Sequence, residues 1–169
     1  MADALTPVQE LAEQTGSGGL LVRRWIGCWV DMLALAAIVF VPALALGQTI
    51  DSEAGGVVLG VSAVIALLYF PVCESVWGRT LGKLITGLKV VDAQGKTPNI
   101  GRVIIRTLFR LIEVNPGLLG GIPAGICVLA TKRKQRLGDM AGGTYVLDAG
   151  EVRRAVDIGA LTSAAQQFA

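Results

Sequence analysis

The sequence predicts an all-α integral membrane protein, with two full transmembrane helices plus an amphipathic, re-entrant helical hairpin and a small cytoplasmic β-ribbon. Three observations lead there. Of the 169 residues, 53% are hydrophobic and 17% charged, an apolar share above that of an ordinary soluble domain. The apolar residues gather into runs, two of them long enough to cross a hydrocarbon layer about 30 Å thick. The net charge is only +2, yet the basic residues concentrate between Arg79 and Arg110 and between Lys132 and Arg136, blocks that the positive-inside rule assigns to the cytoplasm.

The same composition narrows the function classes. With no histidine in the chain, His-based catalysis, the common His metal sites and His pH switching are absent. Cys28, Cys73 and Cys127 fall in apolar segments without CxxC spacing and read as small core residues. No nucleophile, base and orienter occur together, so no enzyme is expected, and no cofactor or metal motif is present. The small net charge gives no bulk field for nucleic acid. GRTLGK, residues 78 to 83, imitates a phosphate loop but fails: three residues separate Gly78 from Gly82, and Leu84 follows Lys83 where a Ser or Thr would hold magnesium.

Taken in order, residues 1–19 form a polar N-terminal segment that is not expected to be a cleaved signal, since neither a basic start nor an apolar core is found there. Thr6, Pro7 and Gln9 supply an N-cap, a first-turn proline and a capping-box partner for a short helix, which TGSGG ends as a flexible linker. Residues 20–148 form the membrane domain. Its first span, Trp25 to Leu46, begins with two interfacial tryptophans behind Arg23 and Arg24, which mark that end as cytoplasmic. Asp31 lies inside it. The second span, Gly55 to Val76, leads through Glu74 and Trp77 back to the basic side, and Gly56 and Gly60 offer a small-residue face for oligomers.

From Arg79 to Arg110 there are seven Lys or Arg against one acid, Asp92, so this stretch stays inside. Leu88 to Val91 and Thr144 to Leu147 read as two short strands able to pair, although two strands alone are marginally stable. In GRVIIRTLFRLIE, Arg102, Arg106 and Arg110 recur every four residues on an amphipathic helix. Either that helix lies in the interface with its arginines toward lipid phosphates, or the stripe turns inward to face a buried acid. GLLGGIPAGICVLAT is short for a crossing and is followed by KRKQR, so a hairpin entering and leaving on the cytoplasmic side is preferred. Its Gly117, Gly121 and Gly125 form a helix-packing face. Residues 149–169 are a polar, loosely ordered C-terminal tail.

Asp31 is the strongest functional signal, because an acid within a span faces protein or a water-filled cavity and is paired. Arg24 lies seven residues away, on the same face but some ~10 Å along the axis, and leans toward the headgroups. The partner should therefore come from another segment, with Arg106 first and Arg110, Arg79 and Lys83 behind it, unless desolvation protonates Asp31. Asp139, in RLGDMAGGT, caps a helix starting near Met140, pairs with Arg136, or belongs to a site; capping ranks first.

Arg24 with Asp31 seven residues on, then ESVWGRTLGKLITGLKVVDAQG, an Arg-rich helix and QRLGDMAGGT, together resemble the RDD family of small membrane proteins across about residues 20 to 148. The resemblance implies that Arg24 is the name-giving arginine, Asp31 the aspartate of the first helix, and Asp139, ahead of Asp92, the second aspartate. It also implies transport of ions or small ligands, or an accessory place in a membrane assembly. The expectation is a cell-membrane protein with both termini cytoplasmic. As a homo-oligomer it would carry a monovalent cation, a proton or a small ligand through Asp31, with Arg24, Asp139, Arg106, Arg110 and Lys83 around it. The alternative is a non-catalytic scaffold for other membrane proteins.

Overall fold

The computed structural model describes residues 5–47, 52–113 and 122–167. Their order is α1 (Pro7–Gln14), α2 (Ser17–Ala45), α3 (Glu53–Val76), α4 (Leu81–Ile85), β1 (Leu88–Asp92), α5 (Ile100–Glu113), α6 (Ile122–Ala130), α7 (Leu137–Ala141), β2 (Thr144–Asp148) and α8 (Ala149–Gln167). Helices α2 and α3, of 29 and 24 residues, are the two long and apolar enough to span a membrane. Their side chains fit that environment: Leu33, Leu44 and Val57 are 70%, 77% and 67% exposed, an arrangement that suits hydrocarbon better than water. At 1.5 Å per residue, α5 and α6 are too short to cross ~30 Å. Gly117 and Gly121, named as packing glycines, lie outside the described residues. Gly125 is described, and a Cβ there would make ordinary 3.5 Å contact with Leu21 of α2.

Strands β1 and β2 pair antiparallel, Val90 opposite Val146. What rescues so small a ribbon is cover on both faces. Leu88, Val90 and Val146 pack on Leu20 of α2; the alternate residues Val91, Tyr145 and Leu147 pack on Val8 and Ala12 of α1 and Val152 of α8, as the twofold alternation of a strand requires. The expected capping box is present, with Gln9 N bonding the Thr6 hydroxyl and Thr6 N bonding the Gln9 side chain.

Two expectations at the ends need correction. TGSGG is not a linker throughout: α2 already begins at Ser17, because Leu20 gives that first turn a face to bury under the ribbon. The polar tail is helical through Gln167. Asp148 accepts bonds from Gly150 N and Glu151 N at its start, and Val152 and Val156 dock on the ribbon.

Candidate functional site: a buried charge network at the end of the two spans

Asp31 is 4% exposed and points across to α3 and α4. Its carboxylate accepts from the Tyr69 hydroxyl at 2.9 Å, the Thr80 hydroxyl at 2.6 Å and the Gly82 amide at 2.8 Å. Local sequence builds this cradle. Thr80 is the N-cap of α4, and Gly82 lets the backbone of α4 touch α2. A Cβ at Gly82 would overlap the Gly27 carbonyl, and one at Gly27 would come within 3.1 Å of the Gly82 oxygen. The GRTLGK motif is thus a docking turn, in which Thr80 and Gly82 exist to meet Asp31.

No basic residue forms an ion pair with Asp31 among the described residues, which corrects the expectation that Arg106 is its partner. Arg106 is occupied elsewhere. Its Nε lies 3.2 Å from Glu74 and its Nη1 3.0 Å from Asp139, so one guanidinium bridges the second span and α7. Glu74, fully buried, also receives Lys83 at 2.6 Å and Arg110 at 2.5 Å. Asp139, equally buried, receives Arg24 at 3.2 Å and Arg136 at 3.5 Å. Arg106 and Arg110 of the α5 stripe therefore turn inward to two buried carboxylates, while Arg102 stays at the surface, 3.4 Å from the Gly143 carbonyl. Arg79 joins neither carboxylate in an ion pair.

Arg24 likewise departs from the expected headgroup position. It bonds Asp139 and the Val146 carbonyl at 2.9 Å, while its neighbour Arg23 diverges to the Thr86 carbonyl and to Asp148, both at 2.8 Å. As helix geometry requires, Arg24 makes no bond to Asp31. Asp139 is not the cap of a helix at Met140. It sits within α7, where it closes the first turn on Arg136 N at 3.3 Å and belongs to the network. Glycines place it there: a Cβ at Gly138 would press on Phe109 and Arg106 of α5, and one at Gly142 would come 3.0 Å from the Arg102 carbonyl.

Electrostatics follow the geometry. Burial pushes the Asp139 carboxyl up, but Arg106, Arg136 and Arg24 pull harder and hold it well below the usual carboxylate range. Burial likewise works against the Arg136 charge, and Asp139 with Glu74 and Glu113 reverses it, raising its pKa. Lys83 goes the other way: desolvation outweighs Glu74 and lowers it to about 8. Arg110 also stacks 3.9 Å over the Phe70 ring, a cation–π contact.

Sequence reasoning brought Arg24, Asp139, Arg106, Arg110 and Lys83 into one site and left out its organising acid. Glu74 stands at the end of an apolar run before Trp77, where it passes for the exit of a span; its signal was a second acid within one turn of that boundary, nine residues from Lys83. Tyr69, Thr80 and Glu113, whose carboxylate accepts from Gly138 N at 3.1 Å, were missed as well, whereas the pairing of Asp139 with Arg136, one of the expected alternatives, is present. No group of His, Cys, Asp or Glu suited to a metal occurs among the described residues.

Two membrane-length helices, tied at one end by a buried network of acids and bases, define a small integral membrane protein organised around charge. The RDD family model matches residues 19–143, and the chain belongs to the RDD family. No curated protein and no solved structure matches it.

Proposed function

We propose that the protein transports a monovalent cation or a proton across the cell membrane as an oligomer, with Asp31 as the carboxylate that takes up and releases it. The observation that supports this reading is the Asp31 cradle. Three oxygens, from Asp31, Tyr69 and Thr80, meet on three separate elements, and hard oxygen donors are what a small cation requires. Among the described residues none of the three is tied to a fixed positive side chain, so a cation or proton can replace a hydrogen-bond donor without breaking an ion pair. Two spans do not enclose a pathway, and association through the lipid-facing surfaces of α2 and α3 supplies the rest. The chain acts without catalysis, with both termini on the cytoplasmic side. Reconstituted vesicles test it: wild type should exchange protons against Na⁺, K⁺ or Li⁺, and Asp31→Asn should lose the exchange. Equal flux in the two would end the proposal.

The scaffold reading has one observation in its favour. The Glu74 and Asp139 pairs lock α2, α3, α5 and α7 into one register, a role for which buried polar groups are known. Under it, purified protein moves no ion, and Asp31→Asn or Arg106→Gln alters which membrane proteins co-purify in mild detergent.

A further inference from the structure

Beside the Asp31 cradle lies a cavity of about 90 Å³, well above the ~10–15 Å³ that one water needs. Four cationic side chains from four segments line it: Arg24 of α2, Lys83 of α4, Arg110 of α5 and Arg136 before α7. Asp31 also lines it, but its oxygens are turned to Tyr69, Thr80 and Gly82.

A second observation is independent of the void. Among the described residues, the donors Arg24 Nε, Arg106 Nη2, Arg110 Nη1 and Arg136 Nε are buried without a hydrogen-bond partner, as is the acceptor Asp139 Oδ1. A buried donor left unmade costs about 1–3 kcal/mol, and more on a charged group. Arg110 is 8% exposed and cannot recover its bond from bulk water. Three of these four donors, all but Arg106 Nη2, belong to residues that line this one cavity. Charge points the same way: among the described residues the five cations Arg24, Lys83, Arg106, Arg110 and Arg136 form ion pairs with Glu74 and Asp139, and with the buried carboxylates Asp31 and Glu113 near by the cluster still holds more basic than acidic groups. The other wall is apolar, formed by Leu21, Trp25, Met32, Ala124 and Val128.

We infer that this cavity binds a phosphate-class oxyanion, either the headgroup of an anionic phospholipid or free phosphate. Guanidinium donors arriving from three segments match the diverging oxygens of a tetrahedral anion, and Lys83 adds a point charge. Basic pockets between membrane helices hold lipid headgroups by this chemistry. The inference does not depend on cation transport, since no orphan donor belongs to the Asp31 cradle.

The test uses the full chain in phosphatidylcholine nanodiscs, titrated with inorganic phosphate by calorimetry, and native mass spectrometry of the protein offered phosphatidylglycerol against phosphatidylcholine. One ligand per chain should bind, at least tenfold more weakly in Arg110→Gln and in Ala124→Phe; the second variant fills the cavity while leaving every ion pair in place. Retained phosphatidylglycerol without a phosphate response identifies the lipid, and a phosphate response in phosphatidylcholine discs identifies the free ion; either supports the site. No phosphate heat together with no preference for phosphatidylglycerol overturns it, as does undiminished binding in Ala124→Phe. A protein that binds the oxyanion but moves no cation loses only the transport reading, and one that moves cations but binds no oxyanion loses only this inference.

Discussion

At the scale of single residues, Glu74 is one of two centres of the network, holding Lys83, Arg106 and Arg110 at once as Asp139 holds Arg24, Arg106 and Arg136. Removing one member of a buried ion pair costs about 3–5 kcal/mol, because the counter-charge stays behind. Glu74→Gln strands Lys83 and Arg110 and leaves Arg106 with Asp139 alone, so unfolding in detergent should show a loss at the upper end of that range, and larger than that of Arg23→Gln, whose bridge to Asp148 is over a third exposed on the arginine side. Lys83 gives a pH signature. It is surrounded by Glu74 of α3, Arg110 and Arg106 of α5, and Asp31 of α2. Its folded pKa of about 8 lies below the ~10.4 of an unfolded lysine, so between those values the unfolded chain binds more protons and stability rises with pH. Below pH 8 both states are charged and the penalty is constant. Wild type should therefore gain on the order of 3 kcal/mol over Lys83→Met between pH 8 and 10.4, by the conversion of ~1.4 kcal/mol per pKa unit. A flat difference across that window would contradict the burial of the ammonium.

Among the elements, α4 depends on one glycine. Gly82→Ala drives a methyl into the Gly27 carbonyl, so α4 must lift from α2 and Asp31 must release its amide donor. The expected loss is about 1–3 kcal/mol, with Leu81 to Thr86 amides exchanging faster by hydrogen–deuterium mass spectrometry. Nothing in the sequence advertised that contact. The spans, the strands and the capped first helix were legible because each announces itself locally: an apolar run of membrane length, a short β-branched stretch beside a turn, Thr6 three residues before Gln9. The register of α5 was not, since an amphipathic arginine stripe looks the same whether it faces phosphates or carboxylates. Only the three-dimensional positions of Glu74 and Asp139 decide it. The partner of Asp31 was misread for a related reason: charge was sought to answer charge, whereas hydroxyl and amide donors from Tyr69, Thr80 and Gly82 satisfy it.

For the whole molecule, the membrane helices and the ribbon share a single clamp. Leu20 buries one face of the ribbon, Arg23 ties α2 to Asp148, and α1 and α8 close the other face. Deleting residues 1–15 exposes Val91, Tyr145 and Leu147 while leaving both spans intact. The truncated protein should still insert into membranes, and the β1 and β2 amides should lose most of their exchange protection; full protection would mean that the ribbon stands without its cover.

The bridging position of Arg106 also constrains how the chain is made. Glu74 precedes Arg106 and Arg110 by 32 and 36 residues, so it leaves the ribosome before the bases that neutralise it exist. At the usual ~5–20 residues per second of synthesis, the second span waits about 2–7 s with only Lys83 to hold its acid. Arg24 waits still longer, 115 residues, for Asp139. The nascent protein thus passes through a stage in which both spans have been delivered but carry unmatched charge at one end. The network is complete only once Arg106, and after it Asp139, has been made.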